Sequence, residues 1–227
     1  MSDAARTLGA YIPQDRRRAL AGGPEVPERQ RGAALFADLS GFTALTERLA
    51  NRLGPLRGAE ELGAWLRRIY DPLVACVEDE GGTVLGFSGD AMTCFLDGDD
   101  GVRAVRAAER MQREVARLHD ARAADGGRIA VRIKVAVAVG EVRRFTAGDP
   151  ERRLWDVMAG STLMRLAAME QNAEPGEVLA DAAAARASGR EVIARRDDGH
   201  VLRPAEGVDQ ALLVGGDDDV GRGDDVG

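Results

Sequence analysis

Two aspartates and one turn have the residue types and spacing to do chemistry. Asp38 closes the apolar run of FADLSGFT and is followed at once by Ser40, Gly41, Phe42 and Thr43. Asp90 stands at the Ser88-Gly89-Asp90 tip of GFSGDAMTCF. If the strands that carry them lie side by side, both carboxylates converge on one hard cation. Magnesium takes oxygen ligands and keeps room for phosphate oxygens. A helix opening at Ser40–Thr43 offers free backbone N–H groups to an anion, and Gly41 lets the backbone approach it closely. Taken singly, Asp38 fits a helix-capping or turn residue just as well, and Asp90 a plain turn residue.

The elements that must position these groups follow from periodicity. RGAALFADL (31–39) is a compact apolar run suited to a buried strand, with a helix from Ser40 to about Arg52 and Ser40 as its N-cap. GPLRG breaks the pattern, and a second helix carries Leu62, Trp65, Leu66, Ile69, Leu73, Val74 and Val77 at helical spacing, with a kink expected at Pro72. Gly81-Gly82 ends it. TVLGFSGDAMTCFLDGDD reads as two strands around the Asp90 turn. A long helix over about 100–122 follows, with Val102, Val105, Ala108, Met111, Val115 and Leu118 on one face. RIAVRIKVAVAVGEVRRFTAGD reads as a strand pair bent at Gly140; a helix starts near Gly160, and GEVLAD forms a further strand. This order predicts an α+β fold, a mostly antiparallel sheet with helices on one face. Residues 1–30 form a lead-in with a short helix over Asp15–Ala21, 31–205 the domain, and 206–227 an acidic Gly/Asp-rich tail read as disordered.

Composition narrows the function classes. A net charge of −7 over 227 residues opposes a general nucleic-acid or membrane-surface binder. Cys76 and Cys94 make no disulfide framework, which favours a reducing compartment. No signal peptide or membrane span is evident, so the expected location is cytoplasmic. With only His119 and His200 in the chain, histidine-based zinc chemistry and a Ser-His triad are poor fits.

Together, FADLSGFTALTE and GFSGDAMTCF resemble the class III nucleotide cyclase catalytic domain, whose motifs are an apolar strand ending Asp-Ile-x-Gly-Phe-Thr and a later Gly-Asp hairpin. The resemblance runs from about Gly32 to Asp181 and includes KVAVAVGEV and AGSTLMRLAAMEQNAEPGEVLAD. YIPQDRRRAL and RGAEELGAWLRRIYDPL also look like bacterial cyclase domains of the soluble, bicarbonate-responsive type. It implies a ferredoxin-like βαββαβ core, and a cyclisation of a nucleoside triphosphate using two Mg2+ or Mn2+ ions. Asp38, Asp90 and the Leu39 carbonyl would hold the ions, and the Ser40, Gly41, Phe42 and Thr43 amides would cradle phosphates. Lys134 falls where the family has a phosphate-contacting Arg, and a solvent-facing strand Lys fits that position equally. ATP as the substrate follows from the sub-family likeness alone.

The family's site is shared by two cyclase domains, and here the second domain's contribution is missing. Gly86 stands where the purine-reading Lys belongs, and Met164 and Ala168 stand where the transition-state Asn and Arg belong. Asp156 reaches the base-reading place only through a one-residue slip, and Val157 otherwise fills it. Two readings follow: a metal-binding half-site completed by a second cyclase domain, or an inactive nucleotide-binding or dimerisation module.

Overall fold

The computed structural model describes residues 12–118, 131–149, 152–204 and 208. In chain order the elements are α1 (Gln14–Leu20), β1 (Arg29–Ser40), α2 (Phe42–Leu53), α3 (Pro55–Asp79), β2 (Thr83–Ser88), β3 (Ala91–Asp97), α4 (Val102–Leu118), β4 (Arg132–Asp149), β5 (Arg153–Ala159), α5 (Ser161–Asn172), β6 (Val178–Ala180), α6 (Ala182–Ser188), β7 (Val192–Arg195) and β8 (His200–Leu202).

β1 lies inside the sheet because its sequence is apolar at both alternating sets of positions, as a strand covered on two faces must be. Leu35, Ala37 and Leu39 point into the larger core, closed by α2, α3, α4 and α6. Ala34 and Phe36 point the other way, into a smaller core closed by α5 through Leu166 and Met169. Strand alternation therefore sends Asp38 to the α5 face. The strand order is β2-β3-β1-β4-β6-β8-β7, and β5 pairs with β4. Every ladder is antiparallel except β4 with β6. This is the expected α+β arrangement, with α5 added on the second face.

Several local expectations change. Ser40 is the last residue of β1 rather than an N-cap; Gly41 takes that position at φ 87°, a conformation open to glycine, and no side chain caps the helix. GPLRG is not a gap: Gly54 alone separates the helices, and Pro55 occupies the first turn of α3, where its missing N–H is not needed. α3 runs on through Pro72 without interruption. Gly140 is no bend, since β4 continues through it for 18 residues. A side chain there would sit 2.5 Å from Thr162 Oγ1, so the glycine lets α5 lie close on β4. The hairpin partner of β4 is β5, which the sequence pattern did not reveal. The expected end of the long helix near Arg122 lies outside the described residues, as do His119 and all of 206–227 except Val208. Cys76 and Cys94 are buried, free thiols.

Thr162 is 1% exposed and donates to the Glu141 carbonyl at 2.7 Å, so it has little room to yield. Gly140→Ala is expected to cost about 1–3 kcal/mol by overpacking, read as a fall in the urea midpoint at unchanged m-value.

Candidate active site

Backbone pairing does the first part of the positioning. Asp38 is in register with Ala91 on one side and with Lys134 on the other. The β2–β3 turn thus arrives beside the end of β1, where the Leu39 N–H donates to the Asp90 carbonyl at 3.3 Å. The two aspartates are close enough for the Asp90 charge to act on Asp38. The Asp38 carboxyl is raised above its usual range, chiefly by burial, opposed by Lys134 and reinforced by Asp90 and Glu170.

Lys134 Nζ lies 3.3 Å from Asp38 Oδ2 and 2.6 Å from Glu170 Oε1. Its ammonium pKa is raised: burial works against the charge, and the two carboxylates more than offset it. Lys134 is therefore not a solvent-facing strand lysine. α2 begins directly after Ser40-Gly41, and its first-turn N–H groups have no carbonyl of their own helix to bond. Asp38, Asp90, Lys134 and the Ser40–Thr43 segment are consequently gathered at one end of β1.

Tyr70 was not singled out in the sequence. Its hydroxyl donates to the Asp90 carbonyl at 2.9 Å, and its ring packs edge-on against Phe87 at 5.2 Å. Burial, then the charges of Asp90 and Asp38, push the Tyr70 hydroxyl up to about 12. It stays a proton donor and holds the Asp90 turn to α3. Glu170 was missed for the same reason: each touches the site from a helix remote in sequence, and helical spacing alone does not mark them.

Asp38 and Asp90 offer carboxylate oxygens at the adjoining ends of β1 and β3, a donor type that suits a hard divalent cation. An ammonium already stands on one of those carboxylates. No group of three or more metal-binding side chains occurs among the described residues. An ion held by Asp38 and Asp90 would complete its shell with the Leu39 carbonyl, water and phosphate oxygens.

Other expected positions lie elsewhere. Gly86 is exposed on β2, and nothing lies within 4 Å of where its side chain would start. Met164 is 74% exposed on α5, and Ala168 follows it by one helical turn. Arg165 is bound to its own domain, donating to the Val139 carbonyl at 2.8 Å.

Asp156 is committed to structure. Arg144, with no side-chain exposure, donates to it at 2.6 Å and also binds Asp15, while Arg16 reaches Asp156 at 3.0 Å. These ion pairs tie α1 to β4 and β5, which matters because α1 buries no residue of its own. Asp156 is 7% exposed, and both guanidinium groups bind the same carboxylate oxygen, Oδ2.

No family model matches the chain. Adenylate cyclase type 10 of Mus musculus is 30% identical over 129 residues, covering 56% of this chain. The match spans only 8% of that relative's length. A bacterial light-regulated adenylyl cyclase superposes with a TM-score of 0.70 at 17% identity, over 88% of this chain and 59% of that one. The guanylyl cyclase Cya2 gives 0.63 at 20% identity, over 81% and 97%. The fold is that of a nucleotide cyclase catalytic domain. Within that fold the sequence motifs around Asp38 and Asp90 occupy adjoining strand ends, and no described helix is long and apolar enough to cross a membrane.

Asp156→Ala should cost about 3–5 kcal/mol, because it leaves Arg144 buried with a single carboxylate. Asp15→Ala should cost less, since Asp15 is 25% exposed. Chemical denaturation checks both. A base-reading Asp156 would instead leave stability intact and change the preference between ATP and GTP.

Proposed function

We propose that this domain is the metal- and triphosphate-binding half of a composite site that converts ATP to cAMP and pyrophosphate with a second cyclase domain. The observation that carries this is the meeting of Asp38, Asp90 and Lys134 at one end of β1, beside the open N-terminus of α2.

The cyclase domains among the similar structures and the adenylate cyclase among the curated relatives support the reaction class. Two divalent cations, Mg2+ or Mn2+, when bound would lower the pKa of the ribose 3′-hydroxyl and steady the leaving pyrophosphate. Asp38 at the end of β1 and Asp90 in the β2–β3 turn present carboxylates to them, with the Leu39 carbonyl alongside. Tyr70 fixes the Asp90 backbone so that its carboxylate does not drift with the turn. The Ser40–Thr43 amides, where β1 gives way to α2, donate to the terminal phosphates, and Gly41 adds no side chain to obstruct them. Lys134 adds a positive charge on the α5 side. As an ammonium it contributes charge without the planar two-point grip of a guanidinium.

The other half of the chemistry comes from a partner, because Gly86, Met164 and Ala168 carry neither a base reader nor a transition-state donor. Losing one preorganised donor costs about 3–4 kcal/mol, roughly a hundred- to a thousand-fold in rate. Two copies of this domain would therefore turn over very slowly. The large apolar side chains Phe145, Leu154 and Trp155, left exposed on the β4–β5 arm, provide a surface for the partner domain.

Alone, the chain should bind Mn2+–ATP weakly and form little cAMP. Mixed with a cyclase domain that carries the missing Lys, Asn and Arg, it should produce cAMP, and Asp38→Asn or Asp90→Asn should abolish that product. Turnover surviving both changes refutes the metal assignment. Gly86→Lys, Met164→Asn and Ala168→Arg combined should raise homodimer activity at least about a hundredfold, and a side chain at position 86 starts into open space. ATP binding with no product in any combination would mark the domain as an inactive regulatory module instead.

A further inference from the structure

Lys134 is saturated by its own protein. An ammonium has three N–H groups, and three oxygens surround this one: Glu170 Oε1 at 2.6 Å, Asp38 Oδ2 at 3.3 Å and the Glu170 carbonyl at 3.4 Å. In this arrangement nothing remains for a phosphate. Either Lys134 plays no part in nucleotide binding, or one of the three contacts is given up when the nucleotide arrives.

The distances say which. The contact to Glu170 Oε1 is short and charge-assisted, and the one to Asp38 is long and weak. Asp38 is the partner with another claim on it, because a divalent cation needs the same carboxylate. Charge points the same way. Lys134 is bound by both Asp38 and Glu170, and Asp90 adds its charge beside Asp38, so three carboxylates face one ammonium's worth of positive charge and leave room for the two that a divalent ion carries.

We infer that Lys134 is a built-in counter-ion of the cation site and that Glu170 positions it: Nζ neutralises Asp38 in the metal-free domain, yields that carboxylate to an arriving divalent cation, and pivots on Glu170 to a phosphate oxygen. The inference rests on the metal reading of Asp38 and Asp90. It adds that lysine and metal compete for Asp38, that Glu170 sets the outcome, and that Lys134 reaches a phosphate only after the exchange. Glu170 touches no substrate and acts as a positioning residue.

Competition makes the two substitutions move in opposite directions. Lys134→Met removes the rival cation. Mn2+ binding without nucleotide should then tighten by about five- to tenfold, as expected for removing one nearby like charge, while binding of inorganic tripolyphosphate in the presence of Mn2+ weakens. Glu170→Gln removes the stronger partner and drives Nζ onto Asp38, so Mn2+ binding should weaken by about three- to tenfold. A lysine that only braces β4 against α5 would lower stability in both variants and shift Mn2+ affinity in neither.

Mn2+ titrations of the full chain, followed by electron paramagnetic resonance, decide this with the wild type, both single variants, the double variant and Asp38→Asn. The expected result is opposite shifts in the single variants, with the Glu170 effect largely lost once Lys134 is Met. Equal, additive or absent shifts overturn the counter-ion role while leaving the metal site intact. Mn2+ binding that does not depend on Asp38 overturns the metal reading itself, and the exchange with it.

Discussion

The site depends on one constraint, the antiparallel pairing of β1 with β3 on one side and β4 on the other. That double pairing gives Asp38 two fixed neighbours, Ala91 and Lys134, before any side chain is considered. Asp90 immediately precedes Ala91, so the turn that ends β2 is delivered to the end of β1 by register alone. A slip of one residue would send Asp38 into the larger core and Leu39 out of it. The apolar Leu35, Ala37 and Leu39, all packed against the α2–α4 side, oppose such a slip through the free energy of their burial.

A cluster of acids that is to bind cations must be stable without them. Here Lys134 offsets part of the negative charge from β4, and Tyr70 secures the Asp90 turn from α3 through a neutral hydrogen bond. Both supports are partly buried, so solvent and salt screen them less than a surface pair. A second ionic cluster, Arg144 with Asp15, Asp156 and Arg16, does a different task. It attaches a helix with no apolar face of its own, and it engages Asp156 in holding that helix.

Much of this was legible in the residues, and the failures have physical causes. The strands carrying Asp38 and Asp90 showed as apolar runs bounded by turns, and the helices of the larger core showed by spacing. β5 was invisible because its partner is the far half of β4, and a strand that continues through glycine looks like two strands with a bend. Gly140 is there for the close approach of α5, a property of two packed elements that no local pattern reports. Pro55 looked like a break when it is a favourable first helical residue. Tyr70 and Glu170 serve the site from remote helices, and only the folded chain brings them to it.

The central claim is that Asp38 and Asp90 share cations beside the α2 N-terminus. Its most direct test is anomalous diffraction from crystals of the chain grown with Mn2+ and a non-hydrolysable ATP analogue. The account predicts manganese peaks bridging the two carboxylates, with the triphosphate on the first turn of α2 and Lys134 Nζ moved from Asp38 to a phosphate oxygen. Manganese located elsewhere, or a triphosphate bound away from α2 with Lys134 still on Asp38, would contradict it.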